Sequence, residues 1–372
     1  MNALHLAEQA SLGALMLDPA LATQVTTWMR ADDFQHPWHA EVYTVIRELT
    51  AARTPCVPRL VAPALTDRVG STRADLPRIV DLLQAAGSAS AGRHYAAMVL
   101  DGSLRRQTAG YGVLLKGAAL TASATGSAAA VFAVCAQVDA AVDAGAHRWA
   151  LATTADHVAT IAPARDDTEQ LRPVAPVATS VGADRMLTRH PLPAPDEVAD
   201  HEAQLITALI GQPSHLEQVA DWLDPHQVTS ATWRPVYEAL LSLHSTSTPI
   251  DAVTVAWQTH RTAATHGPGP ATRDLRDALT HATALDVPHM ARLVAGDHLR
   301  LTADTAARAL LVDTANLGLT ITDLLGTARL ITQTLRAAAV PVDHHTPQPV
   351  PATASQSADR TRGRARLTIV AR

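Results

Sequence analysis

Residues 31–55 read ADDFQHPWHAEVYTVIRELTAARTP, and residues 225–249 read PHQVTSATWRPVYEALLSLHSTSTP. Set 194 positions apart, Val42-Tyr43 falls on Val236-Tyr237, Leu49 on Leu243 and Thr54-Pro55 on Thr248-Pro249. Val42, Ile46 and Leu49 share one side of a helix, as do Val236, Leu240 and Leu243. Extending outward without gaps, residues 7–62 and 201–256 agree at about 14 positions, enough to signal an internal repeat. The agreements include Glu8/Glu202, Pro19/Pro213, Gln24-Val25/Gln218-Val219 and Trp28/Trp222. Chance agreement in an alanine-rich chain would cluster on alanine, and this one does not. After a one-residue shift the match resumes, with His94, Ala96, Val99 and Leu104-Arg105 against His289, Ala291, Val294 and Leu299-Arg300. One unit is written twice.

Each copy reads as a string of helices. Leu12, Leu15 and Met16 form an apolar face that Asp18-Pro19 stops, because proline cannot sit in a helix interior. In the second copy Asp251 is placed to accept hydrogen bonds from the first free amides of a helix. The first copy uses Pro58 near the first turn instead. Helical periodicity then runs from about 91 to 120 and 128 to 149, broken at TASATGS, and again from about 288 to 313 and 320 to 339, broken at TANLG. Two long helices joined by a tight turn make an αα-hairpin. The fold class expected is therefore all-α. Its domains are a helical copy at 1–158 with a hairpin at about 91–149, and a second at 199–340 with a hairpin at about 288–339. Residues 159–198, rich in proline and alanine, are expected to be a flexible linker, and 341–372 a disordered basic tail.

The bulk numbers agree. With 372 residues, 47% hydrophobic and 17% charged, the chain has enough apolar surface for more than one core. Aromatics are only 3%, and abundant alanine favours helix. Lys116 is the sole lysine, and a net charge of −5 gives no global nucleic-acid footprint. Cys56 and Cys135 lie outside any CxxC pattern, as expected of free thiols in a reducing cytoplasm. The first residues lack a basic leader, and no run of 18 uninterrupted apolar residues marks a membrane span.

The motifs AEQASLGALMLDP (7–19), DDFQHPWHAEVYTVI (32–46) and HYAAMVLDGSLRR (94–106) resemble the N-terminal domain of DnaB-type replicative DNA helicases. The residues carrying the likeness are Ala7-Glu8-Gln9, Leu12-Gly13, Leu15, Leu17-Asp18, Asp33-Phe34, His39, Val42-Tyr43, Tyr95-Ala96 and Val99. The second copy keeps Glu202, Leu209, Val236-Tyr237, Thr248-Pro249-Ile250-Asp251 and Ala291 but lacks the LG and DF pairs. The resemblance implies a small helical domain and a hairpin through which neighbouring subunits pair. In the helicase such pairs build a collar that receives primase and loading factors. The helicase motor would require a GxxxxGK[ST] loop, whose amides hold nucleotide phosphates. Here the only lysine lies in GYGVLLKGAA without a following Ser or Thr.

Other chemistry is sparse. His36 and His39 lie at i, i+3 with no third ligand expected nearby, and His39 occupies a packing position of the family. No metal or cofactor is expected. Asp32-Asp33 reads as a helix start or turn, not an acid/base pair. The stripe Val131, Val134, Val138 and Val142 either packs only on its partner helix or the small domain, or joins a four-helix contact between domains. Arg360, Arg362, Arg364 and Arg366 in the tail either contact DNA phosphates weakly or are simply solvated. The function expected is a non-catalytic, cytoplasmic replication module docking on replicative helicase or primase. Its hairpins would pair between chains, as a homo-oligomer, or within one chain as a pseudo-dimer. The alternatives are a self-assembling scaffold and a DNA-binding accessory factor acting through the tail.

Overall fold

The computed structural model describes residues 3–154, 176–266 and 286–343, with isolated positions at 270, 273, 275 and 276. Helix α1 (Ala3–Leu17) ends at Asp18, whose Oδ1 accepts from the amides of Ala20 and Leu21 at 2.9 and 3.1 Å. That carboxylate and Pro19 at the first position start α2 (Pro19–Val25). A 3-10 turn, Ala31–Asp33, leads into α3 (Pro37–Ala51). Next come α4 (Pro58–Val69), the short α5 (Ser71–Ala74) and α6 (Leu76–Ala85). The first hairpin is α7 (Gly92–Thr125) and α8 (Ala129–Thr153), with Gly126 in the left-handed conformation at the break. Helix α9 (Pro176–Arg189) precedes the second copy. That copy runs α10 (Pro195–Gly211), α11 (Leu216–Ala220), α12 (Arg234–Ser245) and α13 (Ala252–His266). Its hairpin is α14 (Val287–Ala315) and α15 (Ile321–Asp343). Among the described residues there is no strand.

The repeat survives at the level of single hydrogen bonds. The buried Tyr43 hydroxyl donates to the Met29 carbonyl at 3.0 Å, and Tyr237 to Leu223 at 2.8 Å. Glu8 accepts from the Gln35 amide at 2.5 Å, and Glu202 from Thr229 at 2.6 Å. The 3-10 turns are locked alike: Asp33 accepts from the Arg30 amide and Gln227 from Asp224. Even the left-handed residues after α3 and α12 correspond, Arg53 at φ 53° and Ser247 at φ 52°. Each aligned pair is separated by the same 194 positions. These are the contacts that orient α1 against the turn before α3, so the two copies build one core plan.

Gly13 explains the LG pair. A Cβ there would lie 2.0 Å from the Leu82 carbonyl oxygen, so α1 rests directly on the backbone of α6. The second copy has Thr207 at the aligned position.

The hairpins come together in one chain. Helix α7 packs along α14, and α8 along α15, as a four-helix bundle. Where Gly112 faces Ala307, a Cβ on the glycine would be 3.0 Å from the alanine Cβ, and further along α7 Ser123 meets Gly296. Rising numbers on α7 thus meet falling numbers on α14, an antiparallel crossing. Ala307 lies 195 positions after Gly112, so the repeat meets itself at this point, as it would on a two-fold axis.

One expectation is corrected. Part of the region read as a flexible linker, 159–198, is helical: α9 spans Pro176–Arg189 and packs on α7. Ala183 sits where a Cβ on Gly117 would be, 2.8 Å away. Small residues let the helices approach closely but leave no apolar periodicity to read. Residues 159–175 lie outside the described residues.

Candidate functional site

The bundle of paired hairpins is the surface on which the family resemblance places association. Val131, Val138 and Val142 are buried in α8, and Val134 is half-buried. Cys135 is buried between them, so the inward face steps 131, 135, 138, 142. A free thiol there acts as a small apolar group, and burial pushes its pKa up to about 11. Helix α8 touches both α7 and α15; Gly145 alone lies against Leu104 and Leu325. Intrahairpin and interdomain packing are therefore the same face. Although α8 is long and apolar enough by composition to cross a membrane, this valine face is committed to the bundle.

Polar pairs the sequence did not signal fix the crossing. Lys116 on α7 meets Asp304 on α14 at 2.7 Å, and Arg308 meets the same buried carboxylate at 2.6 Å. Asp139 on α8 accepts from Thr332 and pairs with Arg336 on α15, both at 2.6 Å; Asp143 pairs with Arg329. The two hairpin turns are clamped reciprocally. Arg105 of α7 donates to the carbonyls of Asn316 and Leu319 at 2.9 and 2.7 Å, in the turn between α14 and α15. Asp343 of α15 accepts from the Ala128 amide at 3.2 Å, at the start of α8. Arg300, which aligns with Arg105, turns instead to the carbonyls of His190 and Pro191 before α10. The two halves are therefore related but not interchangeable.

A second set of polar groups joins the first copy's small domain to its hairpin. Asp33, fully buried, pairs with Arg148 of α8 and accepts from Ser103 of α7 at 2.7 Å. Arg148 also donates to the Trp28 carbonyl at 2.7 Å. The turn at Asp32-Asp33 thus matches its expected place and adds a buried ion pair that the sequence did not reveal. In the second copy Gln227 and His298 stand at the positions of Asp33 and Ser103, so the buried carboxylate is replaced by an amide. Burial, reinforced by the charges of His226 and Arg234, pushes His298 down to about 4.

The histidine pair is corrected too. His36 and His39 do have neighbours in space: His5 and Glu8 reach them from α1. No periodicity announces this, because it depends on how α1 crosses α3. The tail arginines Arg360, Arg362, Arg364 and Arg366 lie outside the described residues.

A family model described as the DnaB-like helicase N-terminal domain matches residues 1–101 and, separately, residues 194–295. The chain belongs to this family. The two matches span more than half of it, and each ends part-way along the first helix of a hairpin, α7 or α14. This DnaB-type chain therefore carries the domain in tandem, and the outer parts of both hairpins lie beyond the matched segments. No curated protein and no solved structure matched it.

Proposed function

We propose that this DnaB-type chain is a non-catalytic adaptor in DNA replication, docking on a replicative helicase or primase through the outer faces of its two small domains. The observation that carries this reading is the bundle of α7, α8, α14 and α15 within one chain. The resemblance makes the hairpin the family's pairing element, and here each hairpin already has a partner. What is left for other proteins is the pair of small domains, which differ from each other. Val253 and Trp257, one turn apart on α13, are exposed in the second copy, where the first has Arg59 and Pro63. Two unlike faces on one rigid bundle suit a bridge between two different partners better than a symmetric ring.

The test is gel filtration of the purified chain with the helicase and the primase of the same cell, separately and together. Co-elution with either supports the adaptor, and co-elution with neither ends it. Purified alone or with DNA, the chain is expected to hydrolyse no nucleoside triphosphate.

A further inference from the structure

The first copy holds a cluster of imidazoles that the second lacks. His39 is 1% exposed, and its Nδ1 lies 2.7 Å from Glu8 Oε2. Its other nitrogen, Nε2, is buried without a hydrogen-bond partner. A buried polar atom left alone is costly, so an unfilled one asks for an explanation. Two half-buried rings stand over it: His36 at 4.6 Å and His5 at 4.9 Å between ring centres, with 5.6 Å between His5 and His36. One ligand atom from each of His5, Glu8 and His39 lies within 4.8 Å of the other two.

We propose that His5 and His39, joined by His36 once its half-buried side chain turns towards them, bind a zinc-type divalent transition-metal ion, with Glu8 orienting His39. Imidazole nitrogens bond zinc at about 2.0–2.1 Å, which places the centres of three tetrahedrally arranged rings about 5 Å apart. The observed separations bracket that spacing. The Glu8–His39 contact has the form of the carboxylate–histidine pairs that fix the tautomer of a metal-bound ring: Nδ1–H donates to the carboxylate, and Nε2 keeps its lone pair for the ion. His36 Nδ1 already accepts from the Trp38 amide at 3.2 Å, leaving its Nε2 as the donor atom. Nitrogen donors with one carboxylate suit zinc or cobalt rather than calcium or magnesium.

The charges around the cluster are mixed. Arg78 stacks over Trp38 and faces His5 and His36, and Arg106 faces Glu8. Burial above all, and the nearby Arg78 guanidinium, lower the pKa of His5 and His36 from the usual imidazole value. Affinity comes from the nitrogen donors, not from net negative charge.

The repeat provides an internal control. Glu202 does the framework work of Glu8, accepting from the amides of Thr229 and Ser230, yet Ala199, Ser230 and Trp233 stand where the first copy has His5, His36 and His39. The carboxylate belongs to the fold; the three imidazoles are an addition to one copy. A bound ion would pin α1 to the start of α3.

The full chain, stripped with a chelator, is titrated with Zn²⁺ by calorimetry and with Co²⁺ by visible absorption. One ion per chain is expected, with the intense spectrum of tetrahedral cobalt and a higher melting temperature. His5→Ala and His36→Ala should each weaken binding at least tenfold with unchanged circular dichroism, since both side chains are half-exposed. Replacing His344 and His345 by alanine should change nothing. Absence of zinc binding, binding indifferent to both His5→Ala and His36→Ala, or binding lost with His344 and His345 would each overturn the proposal.

Discussion

Asp33 is the residue on which the first copy's small domain is fastened to its hairpin. Removing it strands the Arg148 guanidinium in a dry site, and breaking a buried pair costs about 3–5 kcal/mol. Asp33→Ala is expected to lower stability by that order, read from the urea midpoint at unchanged slope; an effect below 1 kcal/mol would mean that water reaches the site. His298 makes a pH prediction. Its pKa is held at about 4 in the fold against an ordinary 6.5, so the unfolded chain takes up a proton first as pH falls. Stability from this group is whole above pH 6.5 and drains away towards pH 4. His5 and His36, also lowered, act in the same sense. His298→Ser, which installs the first copy's residue, should therefore shrink the drop in urea midpoint between pH 7 and pH 5. An identical drop would remove His298 from the account.

Between elements, two glycines set how closely helices approach, and they should not respond alike. At Gly13 the obstacle is the Leu82 carbonyl of α6, which cannot step aside without moving the helix. Gly13→Ala is expected to cost at least the 1–3 kcal/mol typical of overpacking. At Gly112 a Cβ would meet the Ala307 Cβ at 3.0 Å and its Cα at 3.1 Å, so α7 and α14 must part by a few tenths of an ångström, and the alanine offsets this with about 1 kcal/mol of helix propensity. Gly112→Ala should be nearly neutral in thermal melts, whereas Gly112→Leu should force α7 from α14. If Gly13→Ala proves the milder change, α1 does not lie on α6 as described. Both glycines stand in stretches that read simply as helix; the sequence does not say that one meets a carbonyl oxygen and the other an alanine.

For the whole molecule, the bundle closed within one chain predicts a monomer of 39.3 kDa by light scattering. Gly112→Leu, by opening the α7–α14 contact, should lower the melting temperature and expose apolar bundle surface to a hydrophobic dye. A wild-type chain that is already dimeric at low micromolar concentration would contradict the closed arrangement. The same closure is what leaves the small domains as the docking surfaces of the proposed adaptor.

The 194-residue echo determined by itself that two like helical units follow one another, because a duplicated core must refill the same cavities. Tyr43 and Tyr237, or Glu8 and Glu202, could not drift without leaving a buried group unpaired. The helix stop at Asp18-Pro19 and the helix starts at Pro58 and Asp251 were legible for a local reason: capping uses neighbours in sequence. Pairing of the hairpins within the chain, the Lys116–Asp304 contact, the clamp of Arg105 on the opposite turn and the meeting of His5 with His39 were not. Those depend on crossing angles between helices far apart in the chain, set by small residues such as Gly112, Gly117 and Gly145 whose only signal is the side chain they do not have.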